Sequence, residues 1–178
     1  YEKVTYYRPE GSHEGRVALA KETVCLQLAQ TLFELSDQQL QEALYLDELA
    51  LNLAPPIDTA YGDLLSEGVL AYLTHRRLHF FHQTLLEYAL AYWLSRRSAQ
   101  QQQQQLFEKL HQPDAYTWLP VLRQLLTIVG TQTEYDRLVS QLDLENLGIF
   151  TTVAYAAASR DRPDALVDLL PMALDLGE

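Results

Sequence analysis

Cysteine is almost missing from this sequence, since Cys25 is the single cysteine among 178 residues. One cysteine excludes a disulfide within the chain and fits a reducing compartment such as the cytosol. Cys25 lies in an apolar stretch with helical spacing, which favours a small buried side chain over a reactive thiol. The sequence also has no G-x-S-x-G elbow and no local Cys/His pair, so nothing indicates a hydrolase.

Long hydrophobic runs and basic residues are also scarce. No apolar run reaches the about 20 residues that a membrane-spanning helix needs, and the N-terminus is neither a basic nor an apolar leader. Lys and Arg number 13 against 24 Asp and Glu, which gives a net charge of −11. Such a chain is not attracted to nucleic-acid phosphates or anionic lipids. We therefore expect no nucleic-acid partner, no membrane and a cytoplasmic location.

Motifs for nucleotide hydrolysis are missing as well. The chain has no G-x-x-x-x-G-K-S/T phosphate loop, and no hydrophobic run ends in the acidic pair that a Mg-dependent NTPase needs. We expect that the chain alone is not an enzyme and holds no cofactor. It begins with Tyr1 rather than Met, which suggests a fragment of a longer protein.

The strongest structural signal lies between Glu67 and Arg97. Two short apolar runs, 69–74 and 78–81, flank a polar triplet and predict a β-hairpin. The helical spacing that follows predicts a helix in which Thr84 and Glu87 form a capping box. Apolar periodicity assigns these side chains to the core: Phe80, Leu85, Tyr88 and Trp93.

Helices are predicted on both sides of the hairpin. Before it they cover 16–34, 36–46 and 60–67, and after it 106–110, 113–129, 133–142, 146–159 and 164–174. Predicted start signals are Ser36 with Gln39, Asp58 or Thr59, Pro120, and Thr131 with Glu134. Gly68 is expected to end the short helix. Residues 100–105 are all Gln, and we expect them to form a solvated helix face or a surface linker.

This order of elements predicts a mainly α fold. Helices followed by a two-stranded wing and a further helix have the layout of a winged-helix domain with an appended long helix. The later antiparallel helices with short loops resemble the start of an α-solenoid, although no precise repeat period assigns a repeat class. We predict a linker over 1–15, the winged-helix domain over 16–98, and a helical repeat arm over 99–178.

The stretch from His79 to Ala91 resembles a winged-helix signature of the NACHT-containing, NOD-like signal-transducing NTPases of the STAND class. That signature has a Phe, any residue, a His, a Thr or Ser, a large apolar residue, Gln-Glu-Tyr/Phe and small residues. The matching positions are Phe80, His82, Thr84, Leu85, Glu87, Tyr88 and Ala91. Leu86 stands where the family usually has Gln. Residues 64–70 are similar to the family's lead-in to the wing, and the resemblance covers about 16–98.

The resemblance implies a regulatory role within a larger protein. In that family an NTPase core precedes the winged helix and binds ADP or ATP with Mg, and a helical arm and sensor repeats follow. The implied partners are that NTPase domain, the sensor repeats and, on activation, further copies of the protein. His82 would contact the phosphates of bound ADP and hold the closed, inactive state. A histidine beside a helix N-terminus can donate to an anion, but it can equally pack against the wing and bond a backbone carbonyl.

Two other kinds of site compete for the wing. His75, His79 and His82 lie within eight residues of one another, but hairpin geometry keeps them from converging, so we expect no zinc site. Arg76 and Arg77 could follow DNA phosphates, yet the helix predicted over 60–67 contains two acidic and no basic residues. The alternatives to the regulatory role are a winged-helix DNA-binding regulator and a helical-repeat scaffold for a protein partner.

Overall fold

A computed structural model describes residues 13–49, 54–73, 76–96 and 99–160 of the chain. Within these ranges the protein is mainly helical, as the sequence predicts, with seven α-helices. Its one small antiparallel sheet has three strands, whereas the sequence predicted only the two strands of the hairpin. The chain forms two compact units. Of the described residues, the first unit contains those up to Ser36 and those within Gln41–Ala89, and the second contains Asp37–Leu40 and those from Leu90 onward. The domain boundaries predicted above remain predictions.

The first unit begins with helix α1, His13–Leu35. Val24, Leu28 and Leu32 recur every four residues and are fully buried, so they form the stripe that packs into the core. The helix predicted over 16–34 is confirmed, and residues 13–15 of the predicted linker form its first turn. The rest of that linker lies outside the described residues.

Ser36 ends α1 and does not start a second helix. Its Oγ donates to the Leu32 carbonyl oxygen at 2.6 Å and accepts from the Gln41 backbone N–H at 2.8 Å. The chain then enters strand β1, Ala43–Tyr45, so the helix predicted over 36–46 is wrong. Pairing with a neighbouring strand decides the conformation here, because a short segment with weak intrinsic preference takes the structure that buries its apolar side chains.

The predicted hairpin is confirmed by strands β2, Leu70–Tyr72, and β3, Arg77–Phe80. They pair antiparallel, with Leu70 opposite Phe80 and Tyr72 opposite Leu78. Strand β1 pairs with the other edge of β3, which gives the sheet order β1-β3-β2. The side chains that the sheet buries in the core are Leu44, Leu70, Leu78 and Phe80.

Helix α2, Ile57–Ser66, precedes the hairpin and begins earlier than predicted. Pro56 occupies the N-cap position, and no side-chain hydrogen bond caps the helix there. The predicted caps Asp58 and Thr59 lie inside the helix. Gly68 ends it as predicted, with a φ of +68°. The N–H of Gly68 donates to the Leu65 carbonyl at 3.2 Å and that of Val69 to the Leu64 carbonyl at 2.9 Å. These two bonds are the Schellman pattern, which requires a left-handed residue.

Helix α3, Gln83–Leu94, follows β3. Its buried residues include Leu86, Leu90, Trp93 and Leu94, so the apolar stripe is rotated from the predicted one. The core assignment is right for Phe80 and Trp93, and Leu85 is half-buried. It is wrong for Tyr88, which is 42% exposed because it falls beside the stripe and not on it.

The second unit contains four described helices that follow one another: α4 (Gln100–Leu110), α5 (Leu119–Ile128), α6 (Gln132–Val139) and α7 (Leu147–Ser159). Pro120 lies in the first turn of α5, as predicted. Thr131 caps α6, since its Oγ1 accepts from the Glu134 N–H at 3.3 Å. The glutamine run forms the first half of α4. The helix predicted over 164–174 lies outside the described residues.

The short segment Asp37–Leu40, which follows α1 in the sequence, also belongs to this second unit. The indole Nε1 of the fully buried Trp118 donates to the Gln38 carbonyl at 2.8 Å. Lys109 Nζ donates to the Asp37 carbonyl at 2.8 Å and lies 5.2 Å from the Trp118 ring centre. The bond to Gln38 gives the indole N–H of a buried side chain an acceptor, whereas the bond from Lys109 lies at an exposed position.

Candidate functional site

The candidate site is the corner between β3 and α3, residues 80–83. Phe81 leaves the strand with its N–H donating to the Val69 carbonyl at 3.0 Å. The His82 carbonyl then accepts from the N–H groups of Leu85, at 2.9 Å, and Leu86, at 3.4 Å. His82 therefore occupies the N-cap position of α3. The prediction that Thr84 is the N-cap is wrong, because Thr84 is the second residue of the helix.

The His82 imidazole is exposed at this corner. It lies edge-on against the Phe81 ring, with 4.6 Å between the centroids and an interplanar angle of 79°. Within the described part of the chain no hydrogen bond reaches the His82 ring, and Gln83 and Thr84 are exposed beside it. The N–H groups at the first turn of a helix have no partner in that helix, so an imidazole and free N–H groups face solvent together.

A small cavity opens beside the corner, and we call it the cleft. Its volume is about 190 Å³, and it is lined by Glu42, His79, Phe80, Phe81, Gln83 and Leu86. Ligand pockets usually measure about 300–1,000 Å³. The cleft is thus too small for a nucleotide, and His82 lies outside its lining.

The histidines of the hairpin and the corner do not form a cluster in the described structure. His79 lies on β3 opposite Ala43 of β1 and Ala71 of β2, whereas His82 lies beyond the end of the strand. His75 lies outside the described residues. Over the parts of the chain that can be described, no three His, Cys, Asp or Glu side chains are grouped to hold a metal ion.

Arg77 has a structural role in the sheet. Its Nη2 donates to the Ala43 carbonyl at 2.8 Å, and its guanidinium lies 5.8 Å from the centre of the Tyr45 ring. It therefore ties β1 to β3 along the outer face of the sheet. An arginine held this way is half-buried and less available to contact a DNA phosphate.

Burial raises the pKa of the Cys25 thiol to about 12, and the nearby Glu22 carboxylate adds to the effect. The thiol is therefore protonated at neutral pH. The side chain is half-buried and not fully buried as the sequence suggested. Elsewhere on α1, burial opposes the charge of Lys21, but the hydrogen bonds that its ammonium donates to the Glu67 and Asp63 carboxylates outweigh burial and raise the Lys21 pKa. Neither group lies at the corner.

Two residues of the cleft were missed by the sequence interpretation. Glu42 falls in a stretch for which a helix was predicted, so its position beside β3 was not foreseen. Gln83 is the first residue of α3, one position before the predicted start at Thr84. The pairing of β1 with β3 accounts for Glu42, since Glu42 is the residue before β1 and lies near Phe80.

No protein-family model, curated protein or solved structure matches this chain. Of the helices in the ranges described above, none is long and apolar enough to cross a membrane.

Proposed function

We propose that this chain is a non-catalytic regulatory segment of a NACHT/STAND-like NTPase. In this proposal residues 16–98 act as a winged helix that closes on the ADP-bound NTPase core, and residues 99–178 act as a helical arm that leads to sensor repeats. The parent protein, located in the cytoplasm, would bind ADP or ATP with Mg, and its copies would associate on activation. The observation that carries the proposal is His82, which the motif selects and which lies exposed at the N-cap of α3.

The fold of the first unit supports this assignment. Helices α1 and α2 precede the β2–β3 hairpin and α3 follows it, which is compatible with a winged helix carrying an appended helix. The second unit supports an arm of stacked helices, because four short helices follow one another and α5 packs along α7.

The proposed mechanism is a shift between two packings. With ADP bound, the His82 imidazole and the first-turn N–H groups of α3 would donate to phosphate oxygens and favour the closed state. Nucleotide exchange and a sensed ligand would remove that difference in affinity and favour the open state. In this scheme the residues of the chain only position hydrogen-bond donors towards the phosphate oxygens, and they carry out no reaction step.

A test of the proposal is His82→Ala in the full-length parent. We expect faster ADP release and higher basal signalling, with Thr84→Ala, a neighbouring exposed change on the same first turn, as the matched control. If His82→Ala retains ADP like the wild type and leaves basal activity unchanged, the histidine is structural. A parent gene without a phosphate-loop motif upstream of residue 1 would remove the proposal altogether.

A helical-repeat scaffold for a protein partner is the second candidate. Leu147 and Tyr155 lie two turns apart on α7 and are 63% and 60% exposed, and Tyr116 is 64% exposed. Large exposed apolar side chains on one helix face are typical of protein-binding surfaces. If Leu147→Ser with Tyr155→Ser abolished signalling in the parent while His82→Ala had no effect, the scaffold function would be favoured.

A further inference from the structure

The cleft beside the corner combines a polar rim with an apolar wall. Its polar side chains are Glu42, His79 and Gln83. In the described structure no hydrogen bond or ion pair joins any of these three side chains to another residue. Phe80 and Leu86 are 3% and 1% exposed and form the apolar wall.

Phe81 lies at the rim of the cleft and is 55% exposed. A large, exposed aromatic side chain in this position offers ring surface to a group that enters the cleft. The rim also offers a carboxylate that accepts hydrogen bonds, an amide that both donates and accepts, and an imidazole nitrogen. The unused hydrogen-bonding capacity is thus mainly that of acceptors beside an aromatic ring.

We infer that the cleft is the docking site for one arginine side chain from a basic segment of a protein partner. A guanidinium is planar, carries five N–H donors, pairs with carboxylates and stacks on aromatic faces. The Glu42 carboxylate and the Gln83 amide oxygen supply acceptors, and the Phe81 ring supplies the stacking surface. The inference does not depend on the nucleotide role of His82 and holds for any parent protein.

The size and charge of the cleft fit this occupant. Its volume of about 190 Å³ is below the usual about 300–1,000 Å³ of ligand pockets, which leaves room for one side chain and not for a folded ligand. The net charge of −11 attracts basic segments over a distance and disfavours acidic ones. A lysine would place a point charge near Glu42 but would leave the ring face and the second acceptor unused.

The probes for a test are three capped tripeptides, acetyl-Gly-X-Gly-amide, in which X is arginine, lysine or citrulline. Each is titrated into the isotope-labelled 178-residue chain, and backbone amide shifts are followed by NMR. We expect the arginine peptide to shift the amides of Glu42, His79 and Gln83 and to bind at least about threefold more tightly than the other two. Citrulline keeps the planar shape without the charge, so equal binding of arginine and citrulline overturns the proposal.

Matched variants locate the site. Glu42→Gln should weaken arginine binding by about two- to fivefold, as expected for an exposed charge pair. Glu145→Gln removes the same charge at an exposed position of the second unit and should leave binding unchanged. Phe81→Ala should weaken binding, while Tyr116→Ala, also an exposed aromatic, should not. If Glu145→Gln weakens binding as much as Glu42→Gln, or if no cleft amide shifts in the wild type, the proposal is overturned.

Discussion

Gln103 and Arg137 are joined by a hydrogen bond of 2.8 Å from the guanidinium Nη2 to the amide Oε1. The same amide donates from Nε2 to the Leu94 carbonyl at 2.6 Å. Gln103 is 2% exposed although it lies inside a run of glutamines expected to face solvent. One glutamine of the run thus connects α6 to the C-terminal end of α3, and its neighbours do not.

Replacing this glutamine should destabilise the protein. Gln103→Ala leaves the Leu94 carbonyl and the Arg137 guanidinium without their partner, and a buried unsatisfied group costs about 1–3 kcal/mol. Gln104→Ala changes an exposed position of the same run and should stay within about 0.5 kcal/mol of the wild type. Urea unfolding of the three proteins measures the difference. Equal stabilities of the two variants would show that the Gln103 bonds contribute nothing.

Two glycines of the first unit should respond oppositely to alanine. Gly68→Ala places a side chain at a φ of +68° and should destabilise by about 1–2 kcal/mol, because L residues clash in the left-handed region. Gly62 lies inside α2, and a Cβ there meets no atom within 4 Å. Gly62→Ala should therefore stabilise by about 0.5–1 kcal/mol through helix propensity. Thermal unfolding of both variants checks the signs, and a stabilising Gly68→Ala would contradict the Schellman assignment.

The Cys25 thiol should react slowly while the protein is folded. A pKa of about 12, raised from 9.0, lowers the thiolate fraction at pH 8 by roughly a thousandfold, because only the deprotonated form attacks. Alkylation of the folded protein by iodoacetamide, followed by mass spectrometry, should be slower by at least about that factor than alkylation of the protein unfolded in about 8 M urea. Similar rates in the folded and unfolded protein would show that Cys25 is accessible and ionised.

Lys21 should contribute a modest, salt-sensitive stabilisation. Its Nζ lies 3.1 Å from Asp63 Oδ2 and 2.7 Å from Glu67 Oε1, and both carboxylates are largely exposed. Lys21→Met should therefore cost less than about 1 kcal/mol, and less still in 1 M salt (about a 3 Å screening length). Lys21→Arg keeps the charge and serves as the control. A loss that is unchanged by salt would point to packing of the lysine stem instead.

The pH dependence of this contribution follows from the raised pKa of Lys21, whose ordinary value is 10.5. The folded state binds the proton more tightly than the unfolded state, so the stabilisation is complete below pH 10.5 and is lost as pH rises through the folded-state pKa. Urea midpoints of the wild type and Lys21→Met should accordingly converge only in strongly alkaline buffer. Convergence near neutral pH would contradict the ion pairs.

Local signals in the sequence were sufficient for most of the helices. Thr131 with Glu134 and the Ala-rich stretch after Asn146 identify α6 and α7, because capping and apolar spacing act within a few residues. The hairpin was also predictable from its aromatic and branched residues. The motif around His82 was visible as a pattern, but its N-cap position was not.

Strand β1 and the cleft could not be predicted in this way. Ser36 with Gln39 has the spacing of a capping box, yet the Ser36 hydroxyl is used to end α1. Ala43 and Leu44 are extended because they pair with a strand more than 30 residues later, which local spacing does not encode. Glu42 is brought to the cleft by the same pairing. The site was therefore predictable only where its residues are neighbours in sequence.

The place of Asp37–Leu40 in the second unit has a consequence for anyone who wishes to separate the two units. A polypeptide starting at Leu90 would contain all of α4–α7 but would lack the carbonyl of Gln38, which accepts from the indole N–H of Trp118. Neither unit is one continuous stretch of the chain, so no single cut yields both units with their hydrogen bonds complete.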